Sequence, residues 1–358
     1  MQGWLIALAS IAYLALLFGV AAYGDRRALQ NRNKARPFVY ALSVAVYCTS
    51  WTFFGSVGMA SDRGFEYFGI YVGPILLFTI GLPLIRQIVR LSEAERITSV
   101  ADFLAARYGK NARVAALAAG IAIIGTVPYI ALQLKAVSDA VTLMVTHYAP
   151  TGAGSVLNFD VALIVAVTMI AFAVLFGTRH ADASEHQDGL ILAVALESLI
   201  KIGAFLLVAV AITFFLFNGI DPIVEAYNSR PEIRQAIETG SSPARWLVLT
   251  ILSAAAVLVL PRQFHVIVVE NRSDSELSRA AWVFPLYLIA INALVMPIAI
   301  SGLLYINDGT PADLYLLALP MQAGHDWLAL VSFIGGLSAA TAMVIVATVA
   351  LSIMISNN

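Results

Sequence analysis

The chain has 358 residues, of which 60% are hydrophobic and 12% are charged, and its net charge is −1. Soluble globular chains are roughly one quarter charged, so this composition argues against a soluble protein and predicts an integral membrane protein whose solvent is the lipid bilayer. The net charge offers no field that would attract nucleic acid. The single cysteine, Cys48, excludes an intramolecular disulfide.

Long apolar runs predict about nine transmembrane helices within one membrane domain that fills residues 1–358. About 20 apolar residues cross the hydrocarbon core of a bilayer, and a helix satisfies its own backbone hydrogen bonds there. The first run is longer than the core of a cleaved signal peptide and no basic segment precedes it, so we expect it to be retained. The predicted helices cover residues 3–24, 38–60, 65–86, 113–145, 160–178, 188–218, 245–261, 280–306 and 327–356.

Basic residues predict the orientation of these helices. The first loop, DRRALQNRNKARP, is strongly basic, and loops rich in lysine and arginine stay in the cytoplasm. Every second loop after it holds most of the remaining basic residues, as alternation requires. The pattern predicts an N terminus outside, Asn358 in the cytoplasm and, in a bacterium, a multi-pass protein of the inner membrane.

A polar patch lies within the second predicted helix at residues 47–52, with the sequence YCTSWT. A helix broken there would free backbone carbonyl and amide groups, which is how transporters build ion and solute sites at the middle of the bilayer. The alternative is a continuous helix, in which the hydroxyls bond back to their own backbone and Gly55 and Gly58 allow close helix packing. We favour the broken helix.

Two further helices carry polar residues at membrane depth, where ionisable groups are costly. In the fourth helix, Pro128 predicts a kink, and Tyr129 and Gln133, one turn apart, could line a cavity. An interhelical hydrogen bond of Gln133 is the alternative. In the sixth helix, Glu197 and Lys201 lie four residues apart on one face. This spacing predicts an intramembrane ion pair, with a proton or solute relay as the alternative.

The sequence carries no signature of an enzyme: it has no Walker loop, no G-x-S-x-G and no H-E-x-x-H. The segment 177–189, GTRHADASEHQDG, collects histidines and carboxylates but lacks the spacing of a tetrahedral metal site, so we predict a solvated loop. Arg262, in LPRQFH, is expected at the level of the lipid headgroups. We therefore expect no catalysis, no metal and no cofactor.

Three stretches resemble one family of transporters. ITSVADFLAARYG, after the third helix, resembles the cytoplasmic loop of sodium:solute symporters. FGTRHADASEHQDGLILAVALESLIKIGAF and LPRQFHVIVVEN resemble, more specifically, the symporter-like N-terminal input domain of large bacterial sensor histidine kinases, of the type that senses carbon/nitrogen balance. The resemblance covers essentially the whole chain.

The resemblance implies an all-α, LeuT-like transporter fold, in which two inverted repeats of five helices each enclose the binding site. Residues 38–218 would form the first repeat, and residues 245–358 would begin the second. Two helices of the second repeat would then be missing, so the resemblance implies a fold that is incomplete at its C-terminal end.

The resemblance also implies the positions of two sites. The implied solute contacts are Tyr47, Ser50, Trp51, Thr52 and Gln133. The implied sodium site uses backbone carbonyls near Ala45 and Cys48 in the second helix and the positions of Ala339, Ala342 and Met343 in the ninth. Family members typically carry hydroxyls at the last two positions, and a hard cation needs oxygen ligands. Their absence here favours a proton as the coupling ion, or sensing without coupling.

Two functions follow as hypotheses. In the first, the chain carries a small organic solute, an amino acid such as histidine, inward by alternating access together with Na+ or H+. In the second, the same fold binds its solute without transporting it and signals to a histidine kinase domain of a two-component system, either C-terminal or in a partner protein. The lipid bilayer is the other expected partner.

Overall fold

The computed structural model describes residues 3–31, 35–148, 163, 167, 170, 171, 187–239 and 242–357. Every regular element in this described part is helical, which confirms the predicted all-α class. The helices are α1 (Gly3–Asn31), α2 (Pro37–Ser43), α3 (Ser56–Arg63), α4 (Gly69–Thr79), α5 (Leu82–Glu95), α6 (Val100–Arg107), α7 (Ala112–Tyr148), α8 (Asp188–Val210), α9 (Ile220–Ser229), α10 (Pro231–Thr239), α11 (Pro243–Val259), α12 (Pro261–Phe264), α13 (Asp274–Asn292), α14 (Val295–Tyr305), α15 (Tyr315–Gln322) and α16 (Asp326–Asn357).

Among the described residues, five helical segments are long and apolar enough to cross a membrane. Two bent pairs, Pro37–Tyr47 with Trp51–Thr79 and Pro243–Val259 with Pro261–Val269, raise the number to seven if each pair is one span. The predicted count of nine stays a prediction. All but four residues of the fifth predicted helix, at 160–178, and most of the segment 177–189 lie outside the described residues. The second predicted helix and much of the third fall within the first bent pair.

The predicted break in the second helix is confirmed. The chain tightens into a 3-10 turn at Val44–Tyr47, becomes extended at Cys48 and resumes helical structure as a π-helical turn at Trp51–Gly55. The two arms differ in direction by 69°. Hydroxyl side chains favour such a break because they offer the backbone alternative hydrogen bonds. Here the Thr49 hydroxyl accepts from the Trp51 N–H at 3.2 Å.

A second break, which the sequence analysis did not predict, separates α11 from α12. Leu260 is extended between the two helices, and Pro261 is the first residue of α12. The two arms differ in direction by 57°. The cause is local, because a proline disfavours helical backbone in the residue before it and favours the first helical position. The described part of the chain therefore has two interrupted helices of this kind within its apolar interior.

Contacts between loops fall into two groups. The first group joins Arg36 to Asp188 and Glu270, Arg86 to Asp274, and Thr98 to Asn357. The second group joins Tyr148 to Asp326 and Asp308 to Gln322. All members of the first group belong to segments predicted to be cytoplasmic, and all members of the second to segments predicted to be outside. The grouping agrees with the predicted orientation, which stays a prediction.

The glycines of α4 set its close approach to α11. A Cβ atom built on Gly73 would lie 2.2 Å from Ser253 Oγ, 2.2 Å from the Thr250 carbonyl oxygen and 2.6 Å from the Ala254 nitrogen. Two of these three atoms belong to the backbone, so a side-chain rotation cannot relieve the clash. Gly120, in α7, has open space around the same position, with nothing within 4 Å.

We expect Gly73→Ala to lower the free energy of unfolding by about 1–3 kcal/mol, the usual cost of overpacking. Gly120→Ala is the matched control and should be neutral or slightly stabilising, because alanine is the better helix former. Thermal unfolding of the purified proteins in detergent measures both. Equal midpoints for the two variants would contradict the tight approach of α4 to α11.

Candidate functional site

The first break lies beside a cavity of about 240 Å3 that also reaches α7 and the second break. The polar and aromatic residues that line it are Tyr47, Thr49, Trp51, Thr52, Tyr129, Ser253 and Arg262. Four of the seven come from the YCTSWT patch, and the rest come from α7, α11 and α12. Two interrupted helices thus meet one cavity, which is the arrangement that transporters use for solutes.

Arg262 lies inside the protein, and its expected place at the level of the lipid headgroups stays a prediction. The residue is 4% exposed, and its guanidinium carbon lies 4.9 Å from the centre of the Tyr129 ring. Its Nε is buried and has no hydrogen-bond partner among the described residues. The break at Leu260 turns the chain inward, and hydropathy alone cannot distinguish such a turn from a helix end.

Gln133 holds the first break in place. Its Oε1 accepts from the Ser50 N–H at 3.0 Å and from the Ser50 hydroxyl at 2.7 Å. Both side chains are buried, with Gln133 1% exposed. Two donors that the broken helix frees are therefore satisfied by one amide oxygen. This is the interhelical hydrogen bond that the sequence analysis left open as an alternative.

The predicted solute contacts therefore divide into two kinds. Trp51, Thr52 and Tyr47 line the cavity, and the Tyr47 hydroxyl donates to the Ile70 carbonyl at 2.8 Å. Ser50 and Gln133 are used in holding the break and are not among the lining residues. A solute role for any of the five stays a prediction.

Glu197 and Lys201 have separate hydrogen-bond partners, and the ion pair between them stays a prediction. Glu197 Oε1 accepts from the Tyr13 hydroxyl at 2.8 Å and from the Thr341 hydroxyl. The Ser338 hydroxyl donates to the backbone carbonyl of Glu197 at 2.9 Å. The two charged groups make no hydrogen bond or close ion pair with each other in the structure. Sequence spacing placed them one turn apart, but hydroxyls on α1 and α16 offer the carboxylate a nearer set of donors.

The Lys201 ammonium lies at the first break. It donates to the Ala45 carbonyl at 3.3 Å and makes a shorter contact with the Cys48 carbonyl. Lys201 is fully buried. These are the two carbonyls that the resemblance assigns to a sodium ion. Ala339, Ala342 and Met343, the other implied positions, are fully buried and have no side-chain oxygen.

The sequence analysis missed Arg262 and Lys201 as neighbours of the first break, and it missed Tyr13 as the partner of Glu197. The dipeptide Leu260–Pro261 was the available signal for Arg262, because it predicts extended backbone before the arginine. No local signal points to Tyr13, which lies in the first helix and meets α8 only through tertiary packing.

We expect Gln133→Leu to lower the free energy of unfolding by about 1–3 kcal/mol for each donor left unpaired. The same substitution in a Ser50→Ala background should cost less, because only the backbone donor then remains. Gln87→Leu, at an exposed position, is the control and should be neutral. Denaturation midpoints are measured in detergent. Equal midpoints for Gln133→Leu and Gln87→Leu would contradict this account.

Comparisons with known proteins agree with this geometry. No protein-family model matches the chain. Over 282 residues the chain is 21% identical to an uncharacterized symporter, YodF, of Bacillus subtilis strain 168; the match covers 78% of this chain and 53% of the relative. The chain therefore spans about half the length of this relative. A solved structure of a Na+-coupled sialic acid symporter, in a substrate-bound outward-open state, matches with a TM-score of 0.64 and 17% identity, over 98% of this chain and 72% of that chain.

These likenesses, together with the apolar helices, show a multi-pass membrane protein that is similar in sequence to a symporter and shares the fold of another. In a bacterial cell such a protein lies in the inner membrane. Both proteins that it resembles are named as symporters.

Proposed function

We propose that this chain binds a small organic solute between its two interrupted helices and moves it across the membrane by ion-coupled symport. The observation that carries the proposal is the cavity of about 240 Å3 at which both breaks meet. Breaks in otherwise apolar helices are costly unless the freed groups find partners. Their placement around one cavity supports a binding role.

The lining of the cavity supports a solute with an anionic group and an apolar or aromatic portion. Arg262 brings a positive charge to the wall, and its buried Nε has no partner among the described residues. A carboxylate is the natural complement of a guanidinium, which it can meet through two parallel hydrogen bonds. Trp51, Tyr47 and Tyr129 supply aromatic surface beside it. An amino acid such as histidine has both features.

The same site supports a second function, that of a sensor. Ala339, Ala342 and Met343 offer no side-chain oxygen to a coupling ion, so solute binding without ion-driven flux is favoured by a specific feature of the chain. In that case the change of state would be passed to a histidine kinase domain. The two functions share the binding site and differ in whether the solute crosses the membrane.

Uptake of radiolabelled amino acids into proteoliposomes distinguishes the two functions. Gradients of sodium and of protons are imposed separately, and equilibrium binding is measured on the same preparation. Uptake under either gradient supports the symporter. Binding without uptake under both gradients supports the sensor. A chain that inserts correctly but binds none of the tested solutes would contradict the proposed solute class.

We expect Arg262→Gln to weaken binding of a carboxylate solute about tenfold to a hundredfold, the usual effect of losing a hydrogen bond to a charged group. The variant should also lose its preference for the amino acid over the corresponding amine without a carboxylate. Arg279→Gln is the control, because Arg279 also stacks on an aromatic ring, Phe38, at 4.4 Å but lies away from the cavity. Isothermal titration with both compounds measures the preference, and an unchanged preference in Arg262→Gln would remove the arginine from the site.

A further inference from the structure

The carbonyl groups at the first break form a pocket for a cation, and the chain fills it with its own side chain. Lys201 Nζ donates to the Ala45 carbonyl at 3.3 Å and makes a shorter contact with the Cys48 carbonyl. Ala45, Cys48 and Lys201 are all fully buried. An ammonium group and a metal cation both bind carbonyl dipoles, and they cannot occupy the same place together.

The residues around this pocket do not fit a sodium ion. A hard cation of this kind takes several oxygen ligands. Ala339, Ala342 and Met343 supply none from their side chains. The nearest hydroxyls of the same helix are already engaged, since Ser338 and Thr341 both donate to Glu197. The two carbonyls of the break, those of Ala45 and Cys48, already accept from Lys201.

We propose that the Lys201 ammonium is the built-in cation of this site, held by the Ala45 and Cys48 carbonyls where the resemblance implies sodium, so that the break forms without a metal ion. This inference rests on the proposed function only for its consequence, which is that solute binding does not require sodium.

Charged and titratable groups lie around Lys201. Among the described residues they include Glu197 on the same helix, Tyr13 of α1, the Cys48 thiol, Arg262 of α12 and Tyr287 of α13. The Glu197 carboxylate accepts from the Tyr13 and Thr341 hydroxyls, and the Tyr287 hydroxyl donates to the Ser198 carbonyl. These contacts leave the Lys201 ammonium directed at the Ala45 and Cys48 carbonyls.

A ligand-independent measurement tests the built-in cation, so it does not depend on the identity of the solute. Cys48 is the single cysteine of the chain and is buried at the break, so its alkylation by a maleimide at one fixed pH reports how often the break opens. We expect the wild-type rate to be the same in sodium chloride and in choline chloride. In Lys201→Ala the rate should rise about tenfold or more, because two buried carbonyls lose their donor.

Rescue of Lys201→Ala by methylammonium tests whether the ammonium group itself is required, because a purely structural role of the lysine would not be restored by a small cation. Added to Lys201→Ala, it can place an ammonium on the freed carbonyls and should slow Cys48 alkylation again, whereas choline, which has no N–H, should not. Lys135→Ala is the control: this lysine is 68% exposed in its side chain and pairs with Asp139 at 2.5 Å, so its loss should leave the rate unchanged. Lys201→Met, which removes the charge and keeps the length, should resemble Lys201→Ala and resist rescue.

Three results would overturn the inference: a sodium-dependent alkylation rate in the wild type, an unchanged rate in Lys201→Ala, or an increased rate that methylammonium leaves unaltered. Solute binding is measured separately in sodium and in choline. A wild-type chain that passes the alkylation test and binds no solute would refute the proposed function and leave the built-in cation standing. A chain that binds solute only in sodium would refute the built-in cation and leave the proposed function standing.

Discussion

A helix that stops inside an apolar interior leaves backbone groups without partners, and the centre of this protein is organised by how those groups are satisfied. Leaving a carbonyl or amide unpaired in an apolar interior costs several kcal/mol of free energy, about as much as a severe core mutation. Two side chains from other helices form hydrogen bonds with these backbone groups. The Lys201 ammonium donates to carbonyls before the break, and the Gln133 amide oxygen accepts from Ser50 after it. Side chains of α7 and α8 therefore stabilise the break through tertiary hydrogen bonds.

Placing a lysine in this position brings a second requirement, because a buried charge needs compensation. Glu197 provides an opposite charge one turn away, yet Tyr13 and Thr341 hold its carboxylate with their hydroxyls. The carboxylate is thereby tied to α1 and α16, and the ammonium stays directed at the break. A lysine ammonium has three N–H donors, and here it is directed at the Ala45 and Cys48 carbonyls.

The sequence was sufficient to predict the features that depend on local chemistry. The all-α class follows from long apolar runs, and the break at YCTSWT follows from hydroxyls that compete for the backbone. The family resemblance, and not local chemistry, implied that Gln133 shares a site with the second predicted helix. Features decided by tertiary contacts were not predicted. The i, i+4 spacing of Glu197 and Lys201 predicts that the two side chains lie close together. It does not indicate whether the Glu197 carboxylate binds Lys201 or Tyr13. The number of spans also depends on tertiary structure, because a bent helix joins neighbouring apolar runs.

Arg262 and Lys201 are two cationic side chains near the first break, and their surroundings differ. Arg262 lines the cavity and stacks on Tyr129 of α7. Lys201 is fully buried and donates to the Ala45 and Cys48 carbonyls. A solute carboxylate in the cavity would therefore meet Arg262, whose buried Nε has no hydrogen-bond partner among the described residues. Because Lys201 is already bound to the carbonyls, such a solute can bind without displacing the cation that holds the break.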